Sequence, residues 1–215
     1  MSRTHYVEEL DSVRRSLIQM GETTESLLRE ALSAMTDSNP PSLAKASELE
    51  AQTDHWHRVI HDQCLTLITR QAPVARDARL ITGILDAIVD LELIGDYAYE
   101  IATLSLSMKS RPASQILAQF QRVGMKIEEI LATAIGAWKD GVSGKLVRPE
   151  EAAIRSECGA LYEKLSQLTS GPGDATVYVD LMLVSRHMER ILRHAVCVAD
   201  EAASAAPAEQ ARQEA

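Results

Sequence analysis

Apolar and small residues recur along this chain at alternating steps of three and four. In the first segment, about 5–36, they fall at Tyr6, Leu10, Val13, Leu17, Met20, Thr24, Leu27, Ala31 and Met35, one stripe down a helix. Five more segments repeat the habit, at about 41–70, 75–109, 112–139, 149–169 and from 175 onward. Breakers separate them: Ser38-Asn39-Pro40-Pro41-Ser42, Gln71-Ala72-Pro73, Ser110-Arg111-Pro112, Asp140-Gly141-Val142-Ser143-Gly144 and Ser170-Gly171-Pro172-Gly173-Asp174. Pro149 with Glu150 and Glu151 makes a good first turn, and Asp174 is a natural N-cap. No strand-like alternation appears. The pattern predicts an all-α protein whose long helices, roughly 25–35 residues or ~40–50 Å each, pack nearly parallel in an elongated bundle.

The order of long and short segments suggests that the bundle is a doubled three-helix hairpin. Sliding the sixth segment onto the third superposes Asp77 on Asp174, Leu91 on Met188, Glu92 on Glu189 and Ile94 on Ile191. Leu91–Ala98, "LELIGDYA", then matches Met188–Ala195, "MERILRHA", with Arg193 where the first copy has Asp96. The expected organisation is two tandem three-helix repeats, 1–110 and 111–204, followed by a frayed tail at 205–215.

Charge changes the picture at a few positions. The chain carries a net charge of −9, which argues against a nucleic-acid binder, since phosphate contacts need a clustered cationic surface. Cys64, Cys158 and Cys197 are too widely spaced for a C-x-x-C pair and read as reduced thiols. The start, Met1–Leu10, lacks an apolar signal core. Leu80–Ile94, the most hydrophobic run, is interrupted by Asp86, Asp90 and Glu92, far short of a membrane span. A soluble intracellular protein is expected.

Two acid pairs flank helical seams. Glu50 and Asp54 stand beside Leu49, Thr53 and Trp56; Glu92 and Asp96 stand beside Leu91, Gly95 and Ala98. Residues four apart share a face, so antiparallel second and third helices would bring the pairs together. Carboxylates so gathered require protons, water or a cation, and their oxygens are hard ligands. His57 and His61 continue the same face and would widen the choice toward iron, zinc or manganese. The alternative is a set of solvated helix faces. A ferritin-like di-iron bundle would want Glu-x-x-His on two helices, whereas this chain has one Asp54-x-x-His57. A metal-dependent carboxylate-bundle enzyme or a metal-storage bundle remains the alternative function. No glycine-rich phosphate cradle is present.

Glu50-x-x-x-Asp54, "QAPVARDAR" at 71–79 and "LELIGDYAYEIA" at 91–102 together resemble the PhoU family, accessory proteins of the bacterial phosphate-specific ABC transporter. The resemblance implies a cytoplasmic, non-enzymatic protein of two three-helix repeats that negatively regulates phosphate uptake and phosphate-starvation signalling. It implies contact with the transporter's ATPase subunit and a sensor histidine kinase, hence attachment to the membrane through partners; a homodimer is left open. It further implies divalent or iron ions held by Glu50, Asp54, Glu92 and Asp96, with His57 kept as a candidate ligand.

Several positions depart from the family pattern. Leu93 and Glu100 replace the arginine and asparagine of the first repeat's motif. In the second repeat Arg155, Gly159 and Arg193 stand where acids are usual, and only Glu189 survives. The expectation is a metal in the first repeat only, with Glu189 paired to Arg193 or Arg155. Arg186, Arg190 and Arg193 are expected to line one basic face of the sixth helix.

Overall fold

The computed structural model describes residues 3–37, 42–70, 73–140, 148–171 and 175–205. Asp174 and the tail beyond Ala205 lie outside them, so the expected N-cap and frayed end do too. Six helices follow one another: α1 (Arg3–Thr36), α2 (Leu43–Arg70), α3 (Ala75–Ser107), α4 (Ser114–Asp140), α5 (Arg148–Leu168) and α6 (Ala175–Ala205). Among the described residues there is no strand, and no helix is long and apolar enough to cross a membrane. The helix stripes are the buried faces: Leu17, Met20, Leu27, Ile84, Ile88, Phe120, Ile127, Leu181 and Ile191 all lie in the core.

Each half is an up-down-up hairpin, and the halves meet through α1 against α4 and α3 against α6. These four helices form the centre; α2 and α5 lie outside them. Two glycines set the α1–α4 approach. A methyl group at Gly21 would stand 2.8 Å from Ile135 Cγ1, and one at Gly124 would stand 2.6 Å from Leu32 Cδ2. Gly21 is separated from Gly124 by the same number of residues as Leu32 is from Ile135, so the two contacts are equivalent. The halves therefore face each other in matched register.

The halves also cap each other. Arg14 of α1 donates from Nε to the Trp138 carbonyl at 2.6 Å and from Nη2 to that of Lys139 at 2.9 Å. Arg111 donates to the Asp37 and Thr36 carbonyls at 2.8 and 2.7 Å. Each guanidinium thus satisfies orphan carbonyls at the negative end of a helix in the other half. Trp138 adds a buried hydrogen bond from Nε1 to the Val198 carbonyl, 3.0 Å, tying α4 to α6.

Because Ile135 is β-branched and stiff, it cannot retreat from a side chain placed at Gly21. Gly21→Val is expected to destabilise by about 2–3 kcal/mol through overpacking. Ile135→Ala in the same chain should recover part of that loss in urea denaturation, whereas Ile135→Ala alone should be destabilising.

Candidate metal centre

α2 and α3 run antiparallel, and their approach is tight at Thr53 and Gly95. A methyl group on Gly95 would stand 3.3 Å from Thr53 Cγ2 and 3.8 Å from Leu27 Cδ2. Thr53 is buried and returns its hydroxyl to the Leu49 carbonyl at 3.1 Å, so neither partner holds the helices apart. The next residue on each helix is an aspartate. Asp54 and Asp96 therefore meet at the edge of this contact, and Glu50, one turn back along α2, joins them. One oxygen from each of Glu50, Asp54 and Asp96 lies within 4.8 Å of the others.

Among the described residues no lysine or arginine forms an ion pair with these three carboxylates. Arg58, nearby on α2, donates instead to the Asp54 backbone carbonyl at 3.2 Å. The uncompensated charge has the expected effect. Burial, then the charges of Asp54 and Asp96, push the Glu50 carboxyl above the ordinary carboxylate range. Asp96 is raised likewise, by burial first and then by Glu92, Asp54 and Glu100.

Of the five residues singled out in the sequence, three thus form one cluster. Glu92 lies close enough to act on Asp96, but its Oε1 is 3.4 Å from His57 Nδ1 across the groove. Glu92 and His57 face each other beside the cluster. His61 turns to Asp62 on its own helix, at 3.7 Å. Three carboxylate oxygens with solvent on the Asp96 side fit a hard, oxygen-preferring cation such as magnesium, calcium, manganese or iron. An ion there would supply the positive charge that these side chains lack.

In the second half no such cluster forms among the described residues. Gly159 has open space where the first half carries Asp54, and Leu192 and Cys158 replace Gly95 and Thr53. Glu189 pairs with neither Arg193 nor Arg155, contrary to expectation; its partner is Arg186, at 2.8 Å. The reason lies across the groove, where Arg186 rests 4.3 Å over the Tyr162 ring of α5, a position from which its guanidinium reaches Glu189. Arg155 pairs with Glu151 on its own helix, and Arg193 lies 3.4 Å from His194. Arg186, Arg190 and Arg193 are all exposed on α6, and Arg190 lies 5.3 Å over the Tyr97 ring of α3.

The sequence reading missed a polar seam between α3 and α6. Asp90 Oδ1 lies 2.6 Å from His194 Nδ1, and Tyr97 stacks on both His187 and His194, with centroids 5.5 and 5.9 Å apart. The internal alignment that superposes Leu91 on Met188 also superposes Asp90 on His187 and Tyr97 on His194. These are the residues that meet, a signal available in the repeat and not followed.

Residues 17–105 match the family model described as the PhoU domain. A Synechocystis protein named phosphate-specific transport system accessory protein PhoU homolog is 26% identical over 199 residues, covering 92% of this chain and 89% of the relative. A Pseudomonas aeruginosa protein of the same name is 24% identical over 208 residues, 93% of this chain and 86% of the relative. The crystal structure of PhoU from Pseudomonas aeruginosa superposes with a TM-score of 0.84 at 23% identity, covering 92% of this chain and 96% of that one. PhoU from Streptococcus pneumoniae gives 0.81 at 18% identity, covering 92% and 94%. These matches all point toward the PhoU family, whose domain model covers residues 17–105, and the two solved structures share the fold of this chain.

Neutralising one acid tests the electrostatic description. Asp96→Asn should raise the melting midpoint of metal-free protein by about 1–2 °C at neutral pH, because it relieves repulsion in a partly screened site. The same change should remove most of the stabilisation that added manganese gives the parent chain. Gly95→Val, which leaves every carboxylate in place but wedges α2 from α3, should weaken manganese binding by ~10-fold or more in calorimetry.

Proposed function

We propose that this chain is a PhoU-family protein and a non-enzymatic regulator of phosphate transport. It works in the cytoplasm as an adaptor between the ATPase subunit of a phosphate ABC transporter and a sensor histidine kinase, restraining uptake and starvation signalling when phosphate is plentiful. The observation that carries this reading is the end-to-end likeness to proteins named phosphate-specific transport system accessory proteins, about nine-tenths of each chain. It is supported by a bundle whose helices, in matched halves, leave long faces for partner contact.

Glu50, Asp54 and Asp96 are read as the ligands of a metal ion or small cluster in the first half. Glu92 completes the acid set when His57 releases it, and His57 is then a neighbouring donor. No catalytic step is assigned. The ion's part is structural: it cancels like charge between α2 and α3 and so holds the outer helix against the centre.

Metal content and partner binding test the two parts separately. Protein purified without chelator should hold metal at a single site per chain, lost in Glu50→Ala with Asp96→Ala. The parent chain should retain the transporter ATPase subunit in a pull-down, and deletion of the gene should raise phosphate-starvation reporter expression in phosphate-rich medium. Retained metal with no ATPase capture and no change in expression would point to a storage bundle instead.

A further inference from the structure

The halves meet along two lines of different chemistry. The α1–α4 line is glycine-seated packing with arginine caps on backbone carbonyls, and an arginine keeps its charge throughout the physiological pH range. The α3–α6 line carries aromatic and imidazole rings instead. Tyr97 of α3 inserts between His187 and His194, which stand two turns, ~10.5 Å, apart on α6. The two imidazoles are held differently. His194 is satisfied as a neutral ring: Nδ1–H donates to Asp90 at 2.6 Å, and Nε2 accepts from Arg193 Nη2 at 3.4 Å. The His187 ring rests on Tyr97, and its Nδ1 is sealed from solvent with no hydrogen-bond partner among the described residues.

A sealed nitrogen without a partner favours one protonation state. A lone pair at Nδ1 forgoes one hydrogen bond, whereas a proton there would be a buried donor with no acceptor and a charge withdrawn from water. The neighbours do not reverse that preference. Glu100, one turn beyond Tyr97 on α3, is the acid that attracts a charged His187. Arg190, one turn on along α6, lies over the same Tyr97 ring and repels it. α4 and α5 pack on other flanks of α6 and bring no charged group to bear on this ring among the described residues. Burial is the largest influence; Glu100 opposes it, Arg190 reinforces it, and the balance holds His187 below the ordinary imidazole range.

We propose that the Tyr97–His187 contact is a proton-operated joint between the halves. A proton on His187 drives the ring off Tyr97 toward Glu100 and solvent, which opens one end of the α3–α6 seam while the Asp90–His194 bridge keeps the other end closed. The sign follows from linkage. The closed joint takes up the proton less readily than the open one, so its contribution is complete above a pH of about 6.5 and declines as pH falls through that value. Glu50, Asp96 and Glu201 act in the opposite sense. Their carboxyls are raised, by burial first in each case, so acidification stabilises the fold through them. The joint is therefore read from variants against the parent chain rather than from the parent's pH profile alone. It requires neither an ion at the acid cluster nor the transport reading.

The full chain with isotope-labelled histidine gives the imidazole titrations by NMR. His187 should titrate below an ordinary imidazole; Arg190→Gln should move its midpoint up, and Glu100→Gln should move it down. In urea, the unfolding constant of the parent should rise several-fold more than that of His187→Phe when pH drops from about 7.5 to about 5.5. The ceiling is about 10-fold for a group that titrates near 6.5 in the unfolded chain. Hydrogen exchange, corrected for its intrinsic pH dependence, should increase at the lower pH over 97–104 of α3 and 180–188 of α6 but not along α1 and α4. His187→Phe should abolish that increase. Should His187→Phe not fold, Arg190→Gln and Glu100→Gln, both at exposed positions, carry the same test through their opposite shifts. A His187 midpoint at or above that of an ordinary imidazole overturns the proposal. So does equal pH dependence in parent and His187→Phe, an exchange increase spread evenly over the helices, or an increase that His194→Phe abolishes and His187→Phe does not.

Discussion

The first half depends on how closely two helices can approach where one residue is glycine. Gly95 has no Cβ, and Thr53 fills the space that one would take. Apolar packing around that point drives α2 onto α3, since Leu27, Ile94 and Ala98 are buried nearby. The carboxylates at its edge follow because they are covalently next in line. Core burial is worth ~1.5–3 kcal/mol per large side chain, whereas carboxylates with an open solvent side repel far less strongly. Packing therefore wins, and charge of one sign is gathered as its by-product.

The second half shows what happens when the packing residues and the acids change together. Leu192 stands in place of Gly95 and Cys158 in place of Thr53, so the α5–α6 contact is built from bulk and from the Ser185 hydrogen bond. Arg155 and Gly159 leave no carboxylate on α5 to face Glu189. Glu189 then takes the nearest cation that an aromatic ring holds in place. The space beside Gly159 is open, so this half lost its acid site through its side chains rather than through a blocked cavity.

Much of this was legible in the sequence, for definite reasons. Long stripes with three- and four-residue steps cannot be strands, and proline and glycine breakers between them bound six helices to within a few residues. The acid pairs were legible because four-residue spacing fixes a shared face. What sequence could not give was any choice made across a groove. Glu189 had two arginines within helical reach, Arg186 and Arg193, and Tyr162, on another helix, decides between them. The polar seam was within reach, since Asp90, Tyr97, His187 and His194 all lie in segments that the internal alignment already superposed.

The position of the acid cluster also determines what it can influence. The central helices α1, α3, α4 and α6 are bound by matched glycine contacts, by arginine caps reaching from one half to the other, and by the Asp90–His194 bridge. α2 has none of these ties to the second half; its main packing is on α1 and α3. Three of its charged or ionisable side chains, Glu50, Asp54 and His57, face α3 across the groove. Any change in charge there, by a proton or a cation, is a change in how firmly α2 is held, because the centre cannot yield at comparable cost. A proton or a cation at the cluster would therefore act first on α2, the helix that carries exposed Leu65 and Ile68 toward its C-terminus.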